Sequence, residues 1–282
     1  MSAPILAFGR SGQVGGYLAA MPGVVALGRD AADLSDPDAC AAAIRAHAPA
    51  AVINAAAWTA VDAAEGDPRG AHLANAAAPG AMAQAAARLG VPFVHISTDY
   101  VFDGSGDRPW RPDDTPAPRN VYGASKLAGE RAVVAAGGVH AILRTSWVVA
   151  PRGRNFVTTM LRLGAERDRL TVVADQIGAP TPAGDLAAAC HAVARALIDR
   201  PDLSGTYHYA GTPDTSWAGF ARAIMQAAGL ACAVADIATA DWPTPAARPL
   251  NSRLDCGSFT AAFGVARPDW RALLHDLTGD TP

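Results

Sequence analysis

A short apolar run that leads directly into a glycine-rich turn constrains the fold more than any other part of the sequence. Ile5 to Phe8 are apolar, a helical segment ends near Met21, and the turn between them reads Gly9-Arg10-Ser11-Gly12-Gln13-Val14-Gly15. Glycines let the backbone turn tightly and approach a pyrophosphate, whose charge is stabilised at the helix N-terminus. The pattern predicts a dinucleotide site, and a glycine-rich turn without a ligand is the alternative.

The same alternation of apolar runs and helical segments continues through the first half of the chain. Further strands are predicted at 24–27, 51–54 and 91–96, and a long alanine-rich helix at about 69–89, with a kink at Pro79-Gly80. Strands that alternate with crossover helices form parallel sheets with right-handed connections. The sequence therefore predicts an α/β fold, a Rossmann-like doubly wound parallel sheet, with a smaller C-terminal substrate-binding region.

The second half is predicted to hold strands at 141–147, 170–174 and 206–209 and helices at 157–167, up to 198, at 217–228 and at 270–277. No linker or internal repeat separates the halves. We assign residues 1–146, with about 170–200, to a dinucleotide-binding Rossmann core. The segments at about 147–169 and 201–282 form the predicted substrate-binding region. Its loops carry arginines, aromatic residues and amides, which suit a diphosphate-bearing substrate, and we select Asn155, Arg248 and Asn251 as candidates.

Composition and charge exclude several classes of function. The net charge is −3 and no run of basic residues occurs, which argues against a nucleic-acid surface. No apolar run is long enough to cross a bilayer, and no basic segment resembling a signal peptide precedes the first strand. The four scattered cysteines (Cys40, Cys190, Cys232 and Cys256) indicate reduced thiols, and the histidines lack metal-ligand spacing. We expect a cytoplasmic protein without a metal, nucleic-acid partner or membrane partner.

The residues after the second and third predicted strands indicate how a dinucleotide would be held. Arg29 follows the second strand, where an arginine favours the 2′-phosphate of NADP and a carboxylate favours NAD. Asp30 is adjacent, and Arg29 as an ordinary solvated charge is the competing interpretation. The third strand runs into Asn54-Ala55-Ala56-Ala57-Trp58-Thr59, whose small residues let a flat cofactor lie against the backbone. Trp58 as a core aromatic residue is the alternative there.

The stretch from Ser97 to Lys126 carries the candidate chemistry. A predicted strand ends in Ser97-Thr98-Asp99, a proline-rich excursion follows, and Asn120 is the predicted N-cap of the next helix. Tyr122 and Lys126 are four residues apart, so they lie on one helix face. An ammonium near a phenol favours the phenolate, and the Thr98 hydroxyl could hold the same substrate oxygen. This arrangement would stabilise a carbonyl or alkoxide oxygen during hydride transfer. An ordinary surface helix is the alternative.

These residues resemble the extended short-chain dehydrogenase/reductase superfamily and, within it, the dTDP-4-dehydrorhamnose reductase family. The segments that carry the resemblance follow the family's order along nearly the whole chain. They are FGRSGQVG (8–15), NAAAWTAVDAAE (54–65), STDYVFDG (97–104), NVYGASKLAGE (120–130), RTSWVVAPRGRNFVTTML (144–161), ADQIGAPT (174–181) and RPLNSRL (248–254).

The resemblance implies an activity and a set of site residues. Hydride from NADPH or NADH would reduce C4 of dTDP-6-deoxy-L-lyxo-4-hexulose to give dTDP-L-rhamnose, with Thr98, Tyr122 and Lys126 as the catalytic triad. Asp99 and Trp147 match positions that contact the sugar nucleotide, and the segment around Arg248 would close over it. The matched cofactor-lining positions are Gln13, Val14, Arg29, Asp33, Leu34, Ala57, Trp58 and Thr59.

The chain departs from the family pattern where some members form a metal-bridged dimer between glutamates. Tyr17 and Gly184-Asp185 occupy the corresponding places, so we expect no metal and a monomer or weak homodimer. Two other functions stay open at this point. One is a reductase of another nucleotide-4-keto-deoxysugar, and the other is a non-catalytic NADP-binding regulatory subunit, against which the intact Thr98, Tyr122 and Lys126 argue.

Overall fold

The structure is a computed structural model that describes residues 3–275. Within them the main sheet has six strands in the order β10-β5-β4-β3-β1-β2, and every neighbouring pair is parallel. These strands are β1 (Ile5–Phe8), β2 (Val24–Leu27), β3 (Ala51–Asn54), β4 (Phe93–Thr98), β5 (His140–Thr145) and β10 (Gly205–His208). The predicted doubly wound parallel sheet is confirmed.

The remaining strands form three separate two-stranded pairs among the described residues. They are β6 (Val148–Val149), β7 (Arg169–Val173), β8 (Ile177–Gly178), β9 (Thr181–Pro182), β11 (Thr215–Ser216) and β12 (Ala233–Ile237). The helices are α1 (Gln13–Ala19), α2 (Pro37–His47), α3 (Val61–Gly66), α4 (Pro68–His72), α5 (Ala78–Leu89), α6 (Val121–Ala135), α7 (Phe156–Glu166), α8 (Ala183–Asp199), α9 (Trp217–Ala227), α10 (Gly257–Phe263) and α11 (Arg271–His275).

Helices cover both faces of the main sheet, and the central strands β1 and β3 are buried on both sides. In β1, Ile5 and Ala7 pack with α1 and α8 on one face, while Leu6 and Phe8 pack with α2 and α5 on the other. Successive side chains of a strand point to opposite faces, so an unbroken apolar run indicates burial on both. The short apolar runs in the sequence therefore placed these strands correctly.

A second apolar cluster lies beside the main sheet and joins α7, α9, β7 and α11. Its largest members include Phe220 and Trp270, whose rings meet edge to face at 5.1 Å between centroids. Strand β7 pairs with β12 here and not with the main sheet, whereas α8 packs on the main sheet. The range 170–200 that we assigned to the core thus contributes to both clusters. The predicted final helix, 270–277, and the predicted region to 282 extend beyond the described residues.

The helix predicted at 69–89 is present, and it runs without a gap from Pro68 to Leu89. Its irregularity is a π-helical turn at Leu73–Ala77, which joins α4 to α5 and lies just before Pro79-Gly80. The π turn aims the Asn75 side chain at Trp58: its oxygen accepts from the Trp58 N–H at 2.8 Å and its nitrogen donates to the Trp58 carbonyl at 3.0 Å. The two hydrogen bonds of the Asn75 amide thus hold Trp58, in the segment after β3, against the π turn.

Candidate active site

One cavity of about 2130 Å³ opens at the carboxyl ends of β1, β3, β4 and β5. Parallel sheets bind ligands at this edge because the loops that leave the strands diverge there. The cavity brings together most of the residues selected from the sequence. Those that line it are Gly9, Ser11, Gly12, Gln13, Val14, Arg29, Asp33, Leu34, Ala57, Trp58, Thr59, Thr98, Asp99, Tyr122, Lys126 and Trp147.

The glycine turn provides a narrow backbone cradle at one end of the cavity. Gly9 has φ of +98°, which side chains rarely tolerate, and a Cβ there would lie 2.9 Å from the Ala55 carbonyl oxygen. A Cβ on Gly15 would lie 1.9 Å from the Gly9 oxygen, so Gly15 serves helix packing and does not line the cavity. Gly12 is the N-cap of α1 and makes no side-chain cap, and the first turn holds no acidic residue. The cradle fits the pyrophosphate of a dinucleotide.

Two arginines lie at the end of β2, and each has a carboxylate partner. The Arg29 side chain is 86% exposed and lies 3.8 Å from Asp33, and both residues line the cavity. Arg10 instead pairs with Asp30 at 3.2 Å. Because Arg10 engages Asp30, the carboxylate adjacent to Arg29 is turned toward another cation. Arg29 thereby keeps its guanidinium available at the cavity wall.

Thr98 and Tyr122 meet at the opposite end of the cavity. Tyr122 is buried, and its ring packs edge to face on Tyr100 with 5.4 Å between centroids. Burial raises the pKa of the Tyr122 phenol to about 12, and the hydrogen bond with Thr98 opposes that rise. The Thr98 hydroxyl also donates to Asp99 at 3.1 Å. The phenol is therefore protonated at neutral pH and placed as a proton donor.

Lys126 lies one helical turn from Tyr122 and is 2% exposed. Its Nζ donates to the Ile96 carbonyl at 2.7 Å and lies 3.3 Å from Nε2 of His95. Burial lowers the pKa of Lys126 to about 8, while Glu130 on the next turn opposes that change. The predicted placement of Tyr122 and Lys126 on one buried helix face is confirmed.

Asp99 supplies a buried carboxyl group beside the phenol. It is 3% exposed, and burial raises its pKa to about 6 against a hydrogen bond with Ser252. Among the described residues, neither Asp99 Oδ2 nor Ser252 Oγ has a partner within ordinary hydrogen-bond geometry. The contact between the two side chains is therefore a weak one. Buried polar atoms are rarely left in this state, and of the two residues Asp99 lines the cavity.

Aromatic rings form the wall next to Asp99. Trp147 follows β5 in a left-handed conformation, with φ of 48°, and its ring stacks on Trp217 at 3.8 Å between centroids. The predicted strand 141–147 ends two residues earlier than expected, at Thr145, because the chain turns at this residue. Trp217 is the first residue of α9 and packs against the second apolar cluster. It was not selected from the sequence as a site residue, because its only local feature was its position after Ser216, a helix N-cap. Both rings line the cavity.

Asn155, Arg248 and Asn251 do not line the cavity. Asn155 is the N-cap of α7, and its amide nitrogen donates to the carbonyls of Ala150 and Arg152. Asn251 donates to the Arg108 carbonyl at 2.8 Å. Arg248 pairs with Asp62 at 2.7 Å. These side chains hold the loops around the cavity, and the arginines that do line it are Arg29, Arg152 and Arg154.

The two positions compared with the metal-bridged dimers lie side by side in space. A Cβ on Gly184 would contact the Tyr17 ring at 3.3 Å. Within residues 3–275 no group of three or more histidine, cysteine or acidic side chains is placed to hold a metal ion. A search of the same residues for a helix with the length and hydropathy needed to cross a membrane finds none.

Comparison with known proteins assigns the family. The model of the RmlD substrate binding domain matches residues 3–281. A dTDP-4-dehydrorhamnose reductase from Burkholderia thailandensis is 46% identical over 283 residues, 95% of each chain. Crystal structures of dTDP-4-dehydrorhamnose reductases from Bacillus anthracis, in complex with NADP, and Clostridium acetobutylicum are each 34% identical. Their TM-scores are 0.91 and 0.90, and the alignments cover 100% and 98% of both chains. This chain therefore belongs to the RmlD substrate binding domain family.

Proposed function

We propose that the protein reduces the C4 ketone of dTDP-6-deoxy-L-lyxo-4-hexulose to dTDP-L-rhamnose with NADPH. The observation that carries the proposal is the single cavity that joins the glycine cradle at one end to Thr98, Tyr122 and Lys126 at the other. The Burkholderia thailandensis relative carries the name dTDP-4-dehydrorhamnose reductase, and the structure of the Bacillus anthracis relative is a complex with NADP. The final reduction in dTDP-rhamnose synthesis follows as the role of this chain.

The cofactor would lie along the cavity, with its pyrophosphate at the turn from Gly9 to Val14 and its nicotinamide near Tyr122. When bound, the reduced nicotinamide supplies a hydride to the carbonyl carbon. The short side chains of Ala57 and Thr59 and the ring of Trp58 form the wall along its length. The exposed guanidinium of Arg29 suits the 2′-phosphate that distinguishes NADPH from NADH.

Tyr122 would hold the carbonyl oxygen and give it a proton as negative charge develops. Since burial raises the pKa of the phenol to about 12, Tyr122 enters the reaction protonated. Thr98 lies beside it and would share the same oxygen. A protonated Lys126 nearby would stabilise the phenolate that remains after the transfer, because an adjacent positive charge favours the ionised form.

The sugar nucleotide would occupy the end of the cavity lined by Asp99 and the two tryptophans. The unpartnered oxygen of Asp99 suits a sugar hydroxyl, and the Trp147 ring suits an apolar sugar face or a base. Arg152 and Arg154 line the same cavity and suit a diphosphate.

The proposal also covers the domain organisation, the oligomeric state and the cellular location of the protein. The Rossmann core spans 1–146 with about 170–200, and the rest binds the substrate. The chain acts as a monomer or weak homodimer without a bridging metal, since Tyr17 and Gly184-Asp185 stand at the places that the family resemblance gives to the bridging glutamates. It works in the cytoplasm, in keeping with its free, buried cysteines.

The test mixes the purified protein, NADPH and the dTDP-4-keto sugar, follows the loss of nicotinamide absorbance and identifies the sugar product. A UDP-4-keto sugar offered in parallel separates this reductase from one of another nucleotide sugar. Turnover only with the UDP compound would refute the substrate, and cofactor binding without any turnover would favour a regulatory subunit.

A matched pair of variants tests the proton donor. Tyr122→Phe should bind NADPH normally and lose at least about a hundredfold in kcat, which is the usual worth of a positioned proton donor. Tyr100→Phe removes the hydroxyl of the ring packed against it and should retain most of the activity. Near-normal turnover of Tyr122→Phe would remove this residue from the mechanism.

A further inference from the structure

Three polar side chains form a buried line beneath the cavity, from the end of β3 to the amine of Lys126. Asn54, His95 and Lys126 are each no more than 2% exposed. The Asn54 amide nitrogen lies 3.2 Å from His95 Nδ1, and His95 Nε2 lies 3.3 Å from Lys126 Nζ. The catalytic scheme above uses the lysine but assigns no role to the asparagine or the histidine.

The orientation of the Asn54 amide determines which ring nitrogen of His95 carries a proton. Its oxygen accepts from the Ala56 N–H at 3.1 Å, so its NH₂ group faces His95. An NH₂ group can only donate, and Nδ1 is therefore the bare nitrogen. Burial is the main cause that holds the pKa of His95 well below its usual value, and burial alone keeps the ring neutral. Its single proton must then lie on Nε2, pointing at Lys126.

A proton on Nε2 constrains the charge of the lysine. An ammonium has three donors and no acceptor, whereas a neutral amine has a lone pair that can accept from Nε2–H. Nζ can accept this hydrogen bond and still donate to the Ile96 carbonyl at 2.7 Å. The arrangement satisfies every atom in the line only when Lys126 is uncharged.

Lys126 forms no ion pair among the described residues, and the nearest carboxylate along its helix, Glu130, is paired with Arg144. Glu130 on α6 already accepts from Arg144 on β5, at 2.9 and 2.7 Å, and from Ser97 on β4 at 2.5 Å. Asp99 lies on the turn after β4, and Tyr122 is a protonated phenol. The other titratable groups that line the same cavity from segments packed on α6 are Asp67 and Tyr100.

We propose that Asn54 and His95 favour the neutral amine form of Lys126 in the cofactor-free protein, so that in mildly alkaline solution cofactor binding is coupled to uptake of up to one proton by Lys126. The nicotinamide end of a pyridine nucleotide brings ribose hydroxyls, whose oxygens can accept from Lys126 and favour the ammonium. His95 is a positioning residue in this scheme, because it acts on the reaction through the lysine. The proposal rests on the proposed function only in requiring that the cavity bind a pyridine nucleotide.

The composition of the chain agrees with a need for a cation that can lose its charge. Of the 23 lysine and arginine residues, Lys126 is the only lysine. A guanidinium stays protonated at every accessible pH, whereas an amine can titrate. Lysine is thus used once, at the position where the proposal requires a reversible charge.

The single lysine permits a direct measurement on the unmodified protein. Labelling with ¹³C- and ¹⁵N-lysine gives one side-chain amine resonance, whose shift with pH reports the protonation of Lys126. Without cofactor the midpoint should lie at least two pH units below the ordinary lysine value of about 10.4. The ¹⁵N shifts of the His95 ring should show a protonated Nε2 and a bare Nδ1. A midpoint near 10, or the opposite tautomer, would overturn the proposal.

Cofactor binding provides the second readout. At pH 8.5 NADPH should move the lysine resonance to its protonated position, and calorimetry in buffers of different ionisation enthalpy should record uptake of about one proton. The 2′-phosphate is fully ionised at that pH. NADH lacks this phosphate and is the control for any proton that the phosphate itself would take up. Binding without proton uptake would overturn the coupling. Neither readout requires the keto sugar, so both remain valid if the substrate is a different sugar. Failure of both nucleotides to bind would count against the proposed function. The lysine midpoint of the cofactor-free protein would still test the coupling proposed here.

Two variants separate the effect of His95 from burial alone. His95→Phe keeps the amine buried but removes the Nε2 donor, and the lysine midpoint should rise by about one pH unit, the worth of one hydrogen bond. In Asn54→Asp the new carboxylate should accept a hydrogen bond from Nδ1–H of His95. Nε2 would then carry no proton and could accept from the ammonium, so the lysine midpoint should rise further. An unchanged midpoint in both folded variants would refute the role of the pair. If either variant fails to fold, the tautomer and midpoint of the unmodified protein decide.

Discussion

The buried ion pair between Glu130 and Arg144 should dominate the stability of the elements that carry the site. Two guanidinium hydrogen bonds, of 2.9 and 2.7 Å, join the pair, and both side chains are about 5% exposed. Glu130→Gln would leave the Arg144 charge buried without its counterion. Removing one partner of such a pair costs about 3–5 kcal/mol of unfolding free energy, most of it the desolvation of the remaining charge.

The measurement is urea unfolding followed by circular dichroism, with Glu166→Gln as the matched control. Glu166 makes the same type of contact with Arg162 at 3.0 Å, but both side chains are more than half exposed. Exposed pairs are worth about 0.5 kcal/mol or less. If Glu130→Gln and Glu166→Gln cost the same, burial would not be what gives the first pair its value. A Glu130→Met, Arg144→Met double variant should recover much of the loss, because no unpaired charge remains.

Other predictions concern the cofactor, the glycine turn and pH. Arg29→Ala should weaken NADPH binding at least about tenfold and leave NADH nearly unchanged, and equal losses would refute a 2′-phosphate contact. Gly15→Ala should cost about 3 kcal/mol or more, because its Cβ would overlap the Gly9 carbonyl, whereas Gly66→Ala, whose Cβ meets nothing within 4 Å, should be tolerated. Burial raises the pKa of Asp99 to about 6, so the folded state binds this proton more tightly than the unfolded state and loses stability as pH rises from about 4 to 6. Asp99→Asn should flatten that part of the stability profile and gain up to about 3 kcal/mol at pH 8, and an unchanged profile would contradict the shift.

The fold was largely readable because its strongest signals are local. The apolar strands at 5–8, 24–27 and 51–54 have the predicted bounds. The first and third are buried on both faces, where apolar residues cannot alternate with polar ones, and the second lies at the edge of the sheet. Asn120 caps α6 as predicted, with its side-chain oxygen accepting from the Gly123 N–H at 2.7 Å. Long-range pairing was less accessible. The partner of β7 is β12, more than 60 residues later, and nothing in either segment specifies that pairing.

The candidate site was readable where one local element brings its residues together. Tyr122 and Lys126 share a helix, so four-residue spacing alone puts them on one face. Asn155 and Asn251 have side chains well suited to binding a ligand, but backbone carbonyls occupy their donors, a local one for Asn155 and the distant Arg108 carbonyl for Asn251. An amide that follows a strand is equally suited to capping a helix, and only the coordinates distinguish the two uses. His95 gave no signal at all, because its role depends on Asn54, 41 residues away.

The geometry of the site depends on where α6 rests, and backbone contacts at two glycines fix that place. A Cβ on Gly123 would lie 2.1 Å from the Tyr100 carbonyl oxygen, and one on Gly129 would lie 2.0 Å from the Asn75 oxygen. The helix is thus seated against the turn after β4 at one end and against the π turn at the other. Tyr122, Lys126 and Glu130 recur every four residues along this part of the helix, so they share one face, and all three are buried. Because one helix face sets the phenol, the amine and the anchoring carboxylate together, the proton donor cannot move without the group that tunes it.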